Sequence, residues 1–217
     1  MTAPKKQAGL SLIELMVTIL LSSLLLLGVL QLYINTNATD RTSNELARVQ
    51  ESGRVAIEII AREARRTGYQ GCVGSSVETT AGGITYPEEA ITGTATSLTF
   101  NYARPVANPA SPLGSFPNRN CVNGILEPYQ ITFRNCGNNL CVTAPDIGVN
   151  QELVANANFT RIEFIEPCGA NTCSRSAADA NMALTQKLQI TLSVNDSRGE
   201  FDAPRAFTSV IELRNRL

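Results

Sequence analysis

Between Leu15 and Thr39 the chain runs for 25 residues without a charged side chain, and Leu15–Leu30 is almost wholly Leu, Val, Ile and Met. No other feature of the 217 residues restricts the fold as much. A helix needs about 20 apolar residues to cross the hydrocarbon of a bilayer, so this segment is predicted to span one. Lys5 and Lys6 stand just before it, with no acid among the first nine residues. That asymmetry predicts a cytoplasmic N-terminus and an exported remainder. A cleaved secretory signal would need a shorter apolar core ending in small residues, whereas this run leads into Gln31-Leu32-Tyr33-Ile34. A plain single-pass anchor explains the run but not Glu14 near its start. An acid in a membrane segment costs about 2–3 kcal/mol on insertion scales, which points to a functional partner.

The apolar run passes into a second pattern without a break. No proline occurs between Pro4 and Pro87, and Gly28 and Gly53 are the only glycines from Leu10 to Thr67. Leu46, Val49, Gly53, Ala56, Ile57, Ile60 and Ala64 recur at steps of three and four, the period of one helix face. Glu45 with Arg48, Glu51 with Arg54 and Glu58 with Arg62 add opposite charges at helical spacing. A helix over residues 10–67 is predicted, about 85 Å long at 1.5 Å per residue. Its first half, 10–34, is apolar on all sides; its second, 35–67, is amphipathic and expected to pack on a head. Gly68, Gly71 and Gly74 then end it. These glycines lack the preceding strand and following Lys-Ser/Thr of a phosphate loop, so a C-terminal stop is the reading adopted.

The segment Gly9-Leu10-Ser11-Leu12-Ile13-Glu14-Leu15-Met16 resembles the processing motif of type IV prepilins and type II secretion pseudopilins. In that family a short basic leader ends in Gly, and a hydrophobic residue, Ser/Thr-Leu-Ile-Glu and an apolar helix follow. Leu10 stands where Phe is usual. The resemblance implies that a prepilin peptidase cuts between Gly9 and Leu10 and N-methylates Leu10. It also implies that Glu14 serves assembly. Cleavage would create an α-amino cation four residues from Glu14, at the positive end of the helix dipole. In a stack of staggered helices Glu14 would meet the amino group of a neighbour and guide docking.

From Gly68 onward the composition changes: all six cysteines and nine of the ten prolines lie there. Alternating apolar and polar residues predict strands at Ser97–Tyr102, Tyr129–Arg134, Phe159–Glu166, Lys187–Val194 and Ala206–Leu213. Asn195–Pro204 is read as the connection of an antiparallel hairpin. With no strand–helix alternation, the expected class is α+β: a long N-terminal helix packed on an antiparallel sheet head. Cys136–Cys141 and Cys168–Cys173 share a C-x4-C spacing. Two such pairs suit zinc, but an exported head meets an oxidising space, which favours disulfides. Six cysteines allow 15 connectivities; the pairing favoured is Cys136–Cys141, Cys168–Cys173 and Cys72–Cys121.

The chain has no histidine, which removes Ser-His, Cys-His and His-ligated metal chemistry. The net charge of −1, and 13 acids against 10 basic residues from Gly68 onward, argue against a nucleic-acid surface. Glu88-Glu89 and Asp196, Glu200 and Asp202 are acid clusters of the kind found in solvated turns. A calcium site in the latter turn lacks an EF-hand pattern. No catalytic residue, metal or cofactor is expected.

Arg48-Val49-Gln50-Glu51-Ser52-Gly53-Arg54, Arg65-Arg66-Thr67-Gly68-Tyr69-Gln70-Gly71-Cys72 and Val210-Ile211-Glu212-Leu213-Arg214-Asn215-Arg216 are similar to the helix end and tail of PilW-type minor pilins. This closer resemblance implies a leader at 1–9, a helix at 10–67 and a disulfide-bearing head at 68–217. It further implies a minor pilin that primes, or sits at the tip of, a type IV pilus of the kind used in twitching and adhesion. The partners implied are prepilin peptidase, other minor pilins and the major pilin, the inner-membrane assembly platform and the membrane itself. The location implied is a single pass through the inner membrane with the head in the periplasm, then the pilus at the cell surface. The alternatives are a J-like minor pseudopilin of a type II secretion system, and an adhesin or DNA-binding tip subunit.

Overall fold

The computed structural model describes residues 11–69, 79–81, 84–86, 90–105, 116–119 and 125–214, with side chains for 11–69, 90–104 and 129–214. The chain forms two compact units, Met1–Leu46 and Ala47–Leu217. One helix, α1 (Leu12–Arg66), runs through 55 residues. Within the first unit its large apolar side chains from Leu12 to Ile34 are all exposed.

The second unit joins Ala47–Arg66 to twelve strands. These are β1 (Thr79–Ala81), β2 (Ile84–Tyr86), β3 (Ile91–Gly93), β4 (Ser97–Pro105), β5 (Phe116–Arg119), β6 (Ile125–Cys136), β7 (Asn139–Ala144), β8 (Gly148–Val154), β9 (Ala157–Cys168), β10 (Asn171–Arg175), β11 (Lys187–Val194) and β12 (Arg205–Glu212). β1 and β2 form a pair by themselves. A six-stranded sheet has the order β3-β4-β6-β7-β8, with β5 also on β6, and a four-stranded sheet the order β10-β9-β11-β12. Every pairing among them is antiparallel. The α+β class expected from sequence is therefore the observed one.

The core follows from strand alternation. Leu188, Ile190, Leu192 and Val194 are buried on one face of β11 while the residues between them are half-buried. Phe164, Ile162 and Phe159 of β9 and Ile211 of β12 join them. The large sheet contributes Leu98, Phe100, Ile131, Phe133, Leu140 and Val142 to the same cluster. Phe100 and Phe133 meet edge to face at 6.0 Å, a favourable aromatic geometry. Asn135 joins the sheets: its side chain accepts from the Phe159 N–H at 2.7 Å and donates to the Phe159 carbonyl at 3.0 Å. These bonds satisfy the backbone N–H and carbonyl of Phe159.

On α1 the buried face is Val49, Gly53, Ala56, Ile60, Ala61 and Ala64, close to the stripe the period predicts. Small residues let the sheets approach the helix backbone. The Phe207 ring occupies the place of a Gly53 side chain: a Cβ there would lie 2.6 Å from two of its carbons. The Glu51–Arg54 pair forms, at 3.1 Å. Arg62 turns to Glu63 instead of Glu58, at 3.1 Å. After Arg66 the helix ends on Gly68, whose φ of 75° is a left-handed conformation cheap only for glycine. The Gly68 N–H reaches the Asn101 carbonyl at 2.9 Å and the Ala103 N–H the Tyr69 carbonyl at 2.7 Å, tying the helix exit to β4. Gly71, Cys72 and Gly74 lie outside the described residues.

Four of the five predicted strands are longer or shifted by a residue, and Lys187–Val194 is observed as predicted. The hairpin of β11 and β12 has the expected pairing, from Lys187 opposite Glu212 to Val194 opposite Arg205. Strands β1, β2, β3, β5, β7, β8 and β10 are additions. The sequences of β8 and β10 hide them, since β10 has no buried position and β8 one.

The packing at Gly53 gives a direct test. Gly53→Val is expected to destabilise the head by about 1–3 kcal/mol, because overpacking outweighs the gain in helix propensity. In a Phe207→Ala background the valine should cost little or nothing, a non-additivity measurable by urea denaturation of the two single variants and the double.

Candidate functional site

The assembly motif begins at the first described residue. The Ser11 carbonyl accepts from the N–H groups of Glu14 at 3.1 Å and Leu15 at 3.2 Å, opening α1. Ser11 and Glu14 thus stand at the spacing of a capping box, a combination the chain's pattern alone did not single out. Glu14 lies in the first turn of the helix and its side chain is exposed. A carboxylate there faces the partial positive charge of unpaired N–H groups. Gly9 and Leu10 lie outside the described residues.

From Leu12 to Ile34, Glu14 apart, the helix is predominantly apolar and exposed. Leu12 is 77% exposed and Leu25 72%, so the surface here lacks any polar face on which water could settle. Such a helix is stable against lipid or other apolar helices, not in bulk water. Two of its hydroxyls are served within the helix: Thr18 donates to the Leu15 carbonyl at 2.9 Å and Ser23 to the Leu20 carbonyl at 2.8 Å. By length and composition α1 is able to cross a membrane, and none of its apolar stretch is buried.

The cysteine pairs occupy equivalent places in two hairpins. Cys136 and Cys141 are bonded across the β6–β7 turn, with Cα atoms 5.9 Å apart. Cys168 and Cys173 are bonded across the β9–β10 turn, with Cα atoms 5.8 Å apart. In both, a glycine directly follows the first cysteine, Gly137 or Gly169, with φ of 64°. A positive φ at the first of two turn residues is the requirement of a type II′ hairpin, which explains why C-G begins both motifs. The pairs belong to different sheets, and among the described residues no three Cys, Asp or Glu side chains gather in a way that could hold a metal. Cys72 and Cys121 lie outside the described residues, as do Glu88 and Glu89. Asp196 accepts the backbone N–H groups of Glu200 and Phe201, so it closes the β11–β12 connection.

The head also holds a constellation that no sequence motif announces. Tyr102 and Tyr129 face each other across β4 and β6, ring centroids 5.2 Å apart. Tyr102 donates to Glu63 at 2.6 Å, and Tyr129 donates to Asp146 at 2.6 Å. Arg62 meets buried Glu63 at 3.1 Å and Arg66 meets it at 3.6 Å. Arg104 meets Asp146 at 2.8 Å and lies over the Tyr129 ring at 4.0 Å. Burial, and then the hydrogen bond to a carboxylate, push both tyrosine hydroxyls well above their ordinary range. For Asp146 burial acts upward, but the hydrogen bonds from Tyr129 and Arg104 outweigh it and hold the carboxyl below its ordinary value. These residues come from α1, β4, β6 and the β7–β8 turn, 39 and 17 positions apart across the two tyrosine bonds. Only the fold brings them together.

Comparison with known families bears on the N-terminus. Residues 4–30 match the model of the prokaryotic N-terminal methylation motif. The chain carries a prepilin-type leader. The leader supports a type IV pilin or pseudopilin, and indicates a structural subunit in place of an enzyme. It implies processing by prepilin peptidase, and with the apolar helix it fits an inner-membrane-anchored pilin. No curated protein matches the chain significantly, and no solved structure does.

Asp146 provides a pH test. A carboxyl whose folded pKa is depressed stabilises the fold above its unfolded pKa and loses that contribution as pH falls through the folded value. The stability difference between wild type and Asp146→Asn is expected to be full at neutral pH and to shrink below about pH 4. Urea midpoints collected across that range check it.

Proposed function

We propose that this chain is a minor pilin of PilW type that primes, or is built into the tip of, a type IV pilus. The observation that carries the proposal is the methylation motif at residues 4–30, entering a helix whose apolar surface is exposed on every side. Residues 1–9 are the leader, 10–67 the helix and 68–217 the head. Prepilin peptidase cuts between Gly9 and Leu10 and methylates the new amino group of Leu10. Lys5 and Lys6 hold that end on the cytoplasmic side of the inner membrane, and the head matures in the periplasm before export to the cell surface. The mechanism is assembly: the apolar half of the helix exchanges lipid for neighbouring helices, and the head selects other minor pilins, the major pilin and the inner-membrane platform.

Glu14 sets the register of that exchange. An unpaired carboxylate in hydrocarbon is costly, so a neighbour's amino group fixes where the helix stops. In the oxidising space outside the inner membrane Cys72 pairs with Cys121, beside the two hairpin disulfides.

N-terminal mass analysis of membrane material should give a chain beginning at N-methylated Leu10; one beginning at Met1, or after residue 30, would sink the proposal. Glu14→Ala should leave the head folded and lower the fraction of the protein in sheared pili relative to the membrane pool, with Glu14→Asp less impaired. Equal fractions for wild type and Glu14→Ala would remove the docking role. Incorporation into a secretion pseudopilus in place of a pilus would favour the J-like pseudopilin reading. Non-reducing peptide mapping should recover Cys72 with Cys121, and free thiols with stoichiometric zinc would reverse the pairing.

A further inference from the structure

The four-stranded sheet ends in β10 on one side and in β12 on the other. Pairing of β12 with β11 is unbroken, from Arg205 opposite Val194 to Glu212 opposite Lys187. Just past it the Leu213 N–H donates to the Gln186 carbonyl at 3.0 Å. Successive residues of an antiparallel strand turn their backbone groups to opposite sides. Phe207, Ser209 and Ile211 therefore turn theirs to β11, as Leu213 does, and Ala206, Thr208 and Val210 turn theirs to the open edge. Among the described residues no backbone group meets these three there.

An open edge invites pairing, and chains blunt such edges with short strands, bulges and charges. The other edges of the two larger sheets are blunted in this way. β3 has three residues, β5 four and β10 five. β8 has register shifts at two places, and Asn150 within it has a φ of 52°. β12 carries none of these devices. Ala206–Ile211 holds no charge, proline or glycine, and Val210 is 54% exposed. Charges stand only at the strand ends, and neither Arg205 nor Glu212 has an ion-pair partner among the described residues.

These end charges discriminate between a second copy and a different protein. Two copies of β12 joined edge to edge by a two-fold axis set even-numbered residues opposite even-numbered ones, so Arg205 never faces Glu212. A strand of another sequence is free to supply both opposite charges. We propose that β12 accepts a strand of a different protein, added antiparallel, with a base opposite Glu212 and an acid opposite Arg205. Three of its residues exchange backbone hydrogen bonds with Ala206, Thr208 and Val210. On the core side its residues are apolar and β-branched, because they extend the row of Phe207 and Ile211. The inference concerns the head alone and does not depend on the pilin reading.

The test follows amide hydrogen exchange in the full chain in nonionic detergent. The probe is an acetylated, amidated octapeptide of lysine, three valine–threonine repeats and glutamate. It should slow exchange at Ala206, Thr208 and Val210 saturably, by at least about fivefold, while the amides of β8 keep their rates. Methylating the backbone nitrogens of the peptide's threonines should abolish the protection. Replacing its two charges by glutamine should weaken binding at least about threefold. Arg205→Gln combined with Glu212→Gln should do the same to the protein, with Phe207 and Ser209 exchanging as slowly as in wild type. The proposal is overturned by no saturable protection up to about 5 mM peptide, by equal binding of the methylated peptide, or by equal protection of β8. Protection of the same three amides that rises with protein concentration alone would overturn it in favour of a second copy.

Discussion

The head depends on how closely Ala47–Arg66 of α1 approaches the sheets. A helix with large residues on its buried face keeps its axis about 10 Å from a sheet, whereas Gly53, Ala56, Ala61 and Ala64 present almost bare backbone. Phe207 exploits this by laying its ring where a Gly53 side chain would stand. The same close approach places Glu63 against β4, where Tyr102 satisfies it. A buried carboxylate without such a donor would cost several kcal/mol. Small residues on one element and a hydrogen-bond donor on another thus form one arrangement, and neither makes sense alone.

The sheets are held to each other by different means. Alternation along β9 and β11 buries one row of side chains per strand, and those rows meet in one core with Phe100 and Phe133. Asn135 adds direction: its amide binds both the N–H and the carbonyl of Phe159, so β9 begins at a defined point relative to β6. The two short disulfide loops reinforce hairpins whose turns are already favoured by glycine at positive φ. A six-residue loop removes only about 2 kcal/mol of unfolded-state entropy, so each bond adds to packing without replacing it.

The same helix meets opposite demands in its two units. From Leu12 to Ile34 it has no buried face, and Thr18 and Ser23 satisfy their hydroxyls on its own carbonyls. Those are the properties of a helix able to cross a membrane. The polar residues that follow are served in the same way, Asn37 on the Tyr33 carbonyl and Thr39 on the Asn35 carbonyl. The N-terminal methylation motif at residues 4–30 stands at the start of this helix.

The sequence by itself determined the helix, its change from all-round to one-sided apolarity, its stop at Gly68 and the leader motif. Each of these is local, governed by side-chain period, the conformational freedom of glycine or a contiguous run of residues. It also marked the strands with strict alternation, such as Lys187–Val194, and the two cysteine spacings that one hairpin turn can close. Strands β8 and β10 escaped because a sheet edge buries few side chains and leaves no alternation to read. The tyrosine–carboxylate pairs were decided only by the tertiary structure. Glu63, Tyr102, Tyr129 and Asp146 lie on separate elements, and nothing in the spacing of Tyr102 from Glu63 distinguishes it from any other tyrosine. Their chemistry appears once the strand register and the close approach of the helix have set four distant side chains around one space.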